Sequence, residues 1–194
     1  LKDRIWGGTK LKTYLNKPIV SETTGESWEI STVPGDISVV SNGVLKGKSF
    51  NEIIDLFPEE ILGKSVISRF GKQFPLLFKF IDAKEDLSIQ LHPNDALARE
   101  RHNSFGKTEM WYVMQADESA RLVVGFKKDS NQQEYLAHLE NKNLIDLLNE
   151  YPVSKGDVFF LETGTIHAIG AGVVVAEIQQ TSDVTYRIYD WDRV

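Results

Sequence analysis

The sequence predicts a mainly β fold, an antiparallel sandwich or barrel carrying a few short helices. Short runs rich in aromatic and β-branched residues recur along the chain, and Gly, Pro, Asn and Asp close each of them. The regular strand–helix alternation of a parallel sheet is absent. At 194 residues the chain suits one domain, which buries roughly 70% of its unfolded surface without needing a covalent staple.

In chain order, SWEISTV (27–33) and DISVVS (36–41) read as the first two strands. A helix is expected over 50–57, because Ser49 and Glu52 have capping-box spacing ahead of Ile53, Ile54 and Leu56. PLLFKFIDA (75–83) and LSIQLH (87–92) are further strands, and a short helix follows Pro93 from Ala96 to Glu100. EMWYVMQA (109–116) and ARLVVGF (120–126) are strands, and an apolar stripe of Leu136, Leu139, Leu144, Leu147 and Leu148 predicts one or two helices over 131–149. DVFFLE (157–162), GVVVAEIQQT (172–181) and VTYRIYDW (184–191) complete the strands. No repeat or composition break marks a linker.

Composition narrows the partners. With 22 Lys and Arg against 28 Asp and Glu, the net charge of -6 disfavours a broad nucleic-acid or anionic-membrane surface and leaves a small molecule as the expected ligand. No run is long and apolar enough to span a bilayer, and LKDRIWGG has no signal-peptide core. There is no cysteine, so a bound metal must use oxygen and nitrogen donors, and the reducing cytoplasm is the expected compartment. The first residue is Leu and the last segment is YDWDRV, from which both ends are expected to be cut.

SIQLHPND holds the most informative pattern. Alternation along a strand puts Ser88, Gln90 and His92 on one face and Ile89 and Leu91 on the other. A polar face turned into a core must find partners, since an unsatisfied buried polar group costs roughly 1 to 3 kcal/mol. Such a histidine, taken alone, is more often hydrogen-bonded within the core than bound to metal. Two further segments shift the balance. Glu109 opens a strand on the side of Trp111 and Val113, and GDVFFLETGTIHAIG delivers His167 from a glycine-bounded turn. Together these residues make an all-N/O set for a divalent ion. His102 and His138 lie in polar surroundings and are expected to be solvated.

The segment ending at His167 resembles the second cupin motif, with Gly156, Gly164 and His167 in register and Glu162 at the usual proline position. Gln90 stands where the first cupin motif usually has a histidine. The pair implies a cupin-type jelly-roll barrel with a metal inside.

More specifically, WGG (6–8), GESWEIS (25–31), FPLLFKFIDA (74–83), LSIQLHPND (87–95), GKTEMWYVM (106–114), GTIHAIGAG (164–172) and EIQQTSDVTYRIYDW (177–191) resemble, in order, the short bacterial form of type I mannose-6-phosphate isomerases. The resemblance implies a zinc-dependent aldose–ketose isomerase of sugar phosphates, with one Zn2+ per chain and Mn or Fe as other candidates. Gln90, His92, Glu109 and His167 would be the metal ligands, with Gln90 either on the metal or just behind it. Lys107, Arg187 and Glu177 would be catalytic, Glu177 as the proposed base. Burial in GVVVAEIQQT is expected to raise the pKa of Glu177 unless a cation or the metal lowers it again. The domain expectation is a single cupin-like catalytic unit over 1–194 with a helical insertion near 131–149, ending where the family's C-terminal β lobe would begin. Two other classes fit the same ligands, a metal-dependent cupin dioxygenase and a non-catalytic sugar-phosphate binder. Trp6, Trp28, Trp111 and Trp191 are expected in the core and cleft walls.

Overall fold

Residues 1–193 are described by the computed structural model. The strands are β1 (Lys2–Gly8), β2 (Thr24–Ile30), β3 (Leu76–Ala83), β4 (Ile89–Leu91), β5 (Glu109–Ala116), β6 (Arg121–Phe126), β7 (Leu148–Pro152), β8 (Val158–Leu161), β9 (His167–Ile169), β10 (Val173–Gln180) and β11 (Tyr186–Tyr189). The helices are α1 (Lys10–Thr13), α2 (Phe50–Leu56), α3 (Pro58–Phe70), α4 (Asp95–His102) and α5 (Gln132–Glu140), with a 3-10 turn over Leu144–Leu147.

Two antiparallel sheets face each other as a jelly roll of the cupin type. One has the order β1-β2-β3-β10-β5-β8 and the other β11-β4-β9-β6-β7. Strand β10 is central to the first. It pairs residue for residue with β3, from Val173 opposite Ala83 to Gln180 opposite Leu76, and on its other side with β5, which sets Glu177 opposite Trp111. Inward side chains of both sheets, among them Ile81, Leu87, Trp111, Val113, Leu122, Leu161, Ile169, Val173 and Val175, form the interior. A second cluster lies outside the five-stranded sheet, where Leu144 and Leu148 with Tyr135 and Leu139 cover Ile89, Val123 and Ala168. The helical insertion is therefore a lid on the back of that sheet.

Several expectations change. DISVVS is not a strand: Val39 makes a lone bridge to Ser49 and stays 60% exposed, because a turn through Gly43 and Gly47 folds the segment back before it can bury a face. The helix over 131–149 ends sooner, since Leu148 leaves the 3-10 turn to pair with Phe126 and open β7. Helix α3 was not foreseen. Pro58 starts it, Glu59 and Glu60 suit its first turn, and Gly63 at φ +74° interrupts its periodicity. The expected capping box of α2 is present, with Glu52 N donating to Ser49 Oγ and Ser49 N to Glu52 Oε2.

Candidate metal centre and active cleft

Glu109 begins β5 in the six-stranded sheet, whereas His167 begins β9 and His92 follows β4 in the opposite one. Gly164 N donates to His92 O, drawing the turn before His167 against the end of β4. The donor atoms of the three residues lie within 4.8 Å of one another, and the residues are 2%, 2% and 1% exposed in chain order. His92 Nε2 is 3.5 Å from Glu109 Oε2 and His167 Nε2 is 3.3 Å from Glu109 Oε1.

Each imidazole donates its Nδ1–H to a backbone carbonyl, His92 to Val184 O at 3.0 Å and His167 to Thr165 O at 2.8 Å. That fixes the tautomer and turns the Nε2 lone pair toward the common centre, as behind metal-bound histidines. Burial keeps both rings neutral, lowering His92 to about 2 with help from Lys107, and His167 to about 4. His92 Nε2, His167 Nε2 and both Glu109 oxygens are buried without a hydrogen-bond partner among the described residues. Four orphaned acceptors around one point would be costly in an empty core. They fit a divalent cation.

Gln90, the register partner of His167, lines the adjoining cleft. Arg187 Nε donates to Ser88 Oγ at 3.0 Å, and Ser88 Oγ donates to Gln90 Oε1 at 3.3 Å, so the amide is oriented through a relay from β11. Arg187 has no carboxylate partner in hydrogen-bond reach among the described residues. The cleft, of about 560 Å3, is walled by Trp6, Trp28 and Trp111 and carries Lys2, Arg4, Lys79, Lys107 and Arg187 beside Glu26 and Glu177. His92, Glu109 and His167 are not in its lining, but Lys107, in contact with Glu109, and Gln90, paired with His167, are. Trp191 is elsewhere, with Nε1 donating to Leu87 O.

Glu177 and Lys107 are 4% and 5% exposed. Lys107 Nζ is 3.3 Å from Glu109 Oε2, and although burial works against its charge, Glu109 and Glu177 raise its pKa overall. Burial alone would raise Glu177, but Lys79, with Nζ 3.2 Å from Oε1, and Lys107 override it and lower the carboxyl to about 2. The condition attached to the sequence expectation is thus met, and the side chain is an anion. Lys79 was missed. Its signal was its place between Leu77 and Ile81 on the inward face of FPLLFKFIDA. Glu26 was missed likewise; it accepts from Arg4 Nε at 2.8 Å and Trp28 Nε1 at 2.6 Å. His102 and His138 stand apart from the cluster, paired with Tyr186 and Asn143.

Residues 1–115 match the catalytic domain of type I phosphomannose isomerase. The chain belongs to that family. It is 45% identical over 192 residues to the mannose-6-phosphate isomerase of Streptococcus mutans, covering 98% of this chain and 58% of that protein. The crystal structure of the Bacillus subtilis mannose 6-phosphate isomerase superposes with a TM-score of 0.90 at 40% identity, over 100% of this chain and 60% of that one. The chain therefore spans about three fifths of these relatives. A more distant mannose 6-phosphate isomerase, described as bound with zinc and yttrium, shares the fold at a TM-score of 0.74 and 18% identity, over 100% of this chain and 70% of that one.

Proposed function

We propose that this domain interconverts mannose 6-phosphate and fructose 6-phosphate through a cis-enediol, with zinc held by His92, Glu109, His167 and Gln90. The observation that carries the reading is the group of orphaned lone pairs on His92, Glu109 and His167 beside a cleft that holds an ionised Glu177 among cations. Membership in the isomerase family supports it.

Glu177 Oε1 is the base. It takes the proton from C2 of the open-chain aldose and returns it to C1, while the hydroxyl proton of O2 passes to O1, so one carboxylate serves both carbon-centred half-reactions. Lys79 and Lys107 keep that carboxylate charged and offset negative charge that gathers on the sugar oxygens. Arg187 presents its terminal nitrogens to the phosphate, a match to the planar guanidinium fork. Ile81, Leu87, Ile169 and the indole of Trp111 limit water at the floor. When bound, zinc with two neutral imidazoles, an amide and one carboxylate would retain a formal charge near +1 and supply Lewis acidity without redox chemistry. Residues 1–194 act in this reading as one catalytic domain, in the cytoplasm, where sugar phosphates reside. Among the described residues no helix is long and apolar enough to cross a membrane.

A coupled assay should show fructose 6-phosphate formed from mannose 6-phosphate, lost on chelation and regained with zinc. Turnover that survives exhaustive chelation would reject the metal, and oxygen consumption would turn the reading to a dioxygenase. Glu177→Gln should keep its metal, by elemental analysis, while kcat falls by about 100-fold or more. Sugar-phosphate binding without turnover in the unmodified protein would leave a sensor.

A further inference from the structure

Trp111 is the largest side chain buried to within 1% exposure, and its polar atom is not spent on the fold. Its Nε1–H donates to Glu177 Oε2 at 2.9 Å. The two residues are direct partners on β5 and β10, so their side chains leave the same face side by side. The indole meets the His167 ring edge-on, centroids 5.3 Å apart and planes at 82°, which clamps it from the metal side. Glu177 Oε1 is left without an aligned hydrogen bond among the described residues, with only the ionic contact to Lys79 at 3.2 Å.

A buried carboxylate held at one oxygen by a neutral donor has a single oxygen free to accept a proton. A lysine in the same place could surrender its own proton to the base, whereas an indole N–H does not ionise near neutral pH. From this arrangement, and resting on the base reading of Glu177, we infer that Trp111 is a positioning residue that fixes the carboxylate plane and leaves Oε1 as the proton-accepting atom. Its Nε1–H is spent on Glu177 Oε2, so its polar atom acts on the reaction only through that carboxylate. Phe78 and Phe80 of β3 alternate with the more deeply buried Leu77, Lys79 and Ile81 and carry no donor, and the indole of Trp28 in the cleft wall gives its Nε1–H to Glu26 Oε2.

The test is a double-mutant cycle on the zinc-loaded protein with Trp111→Phe and Glu177→Gln. Trp111→Phe should lower kcat at least tenfold with KM within about twofold and zinc content unchanged, and it should have no further effect when Glu177 is already Gln. A merely structural tryptophan would lower kcat by the same factor in both backgrounds, which overturns the inference. Undiminished kcat in Trp111→Phe beside a crippled Glu177→Gln overturns it alone, whereas undiminished Glu177→Gln overturns the base reading and this inference with it. If Trp111→Phe folds poorly or sheds zinc, 3-benzothienylalanine at position 111 replaces the N–H by sulfur at nearly constant shape. The same loss of kcat is then expected, and normal turnover rejects the role.

Discussion

Glu109 faces two conflicting demands, burial and a cluster that needs its charge. Burial raises it to about 7 despite Lys107, so without metal it holds a proton below neutrality, whereas the imidazoles stay neutral down to about 4 and about 2. Metal binding must then displace one proton from the carboxyl and none from the rings. Calorimetry in buffers of different ionisation enthalpy should show close to one proton released per zinc at about pH 6 and almost none at about pH 8. Release of two would show that the rings carry protons. Lys79→Met should move the acid limb of kcat/KM to higher pH, because Glu177 keeps its burial and loses its nearest cation, so its pKa rises and the ionised base is lost sooner on acidification. An unmoved limb would remove Lys79 from that role. The metal candidates were legible because Gln90, His92 and Glu109 break the apolar alternation of their strands and His167 follows a glycine-bounded turn. Lys79 broke alternation equally. A lone lysine between aromatic residues, however, also reads as a side chain reaching solvent, and only the cross-strand register with Glu177 identifies its partner.

Elements that position nothing in the cleft should separate stability from chemistry. Leu148 is fully buried where β7 meets the outer cluster and lines no part of the cleft, so Leu148→Ala should cost about 2 to 5 kcal/mol by denaturant titration and leave zinc content intact. Loss of zinc in the folded variant would show that the lid transmits to β9. Helix α2 was legible through a capping box, a signal complete within four residues. Helix α3 was not, because Gly63 splits its apolar pattern. DISVVS has strand composition, yet Val39 finds only Ser49 across from it, and β propensity without a packing surface makes no strand.

Across the molecule, the antiparallel β class followed from many short strands with turn punctuation and the jelly roll from the cupin-like motifs, but the sheet order followed from neither. Placing β10 between β3 and β5 joins Gln180 to Leu76 and Gln179 to Glu109, residues far apart in the chain, and no local pattern specifies those pairings. The fold ties the candidate metal donors to both sheets, Glu109 from one and the histidines from the other. A cation there would cross-link the barrel, and zinc at a thousand times its Kd should add about 4 kcal/mol to stability, read as a rise in Tm reversed by chelator. An unchanged Tm would place the bound ion elsewhere. The donors are at most 2% exposed and come from opposite sheets, so none of them can let go of the ion by swinging out into solvent. Its escape should wait for the sheets to breathe apart, so that the rate of zinc loss to a strong chelator levels off as chelator is increased, the barrel itself keeping time.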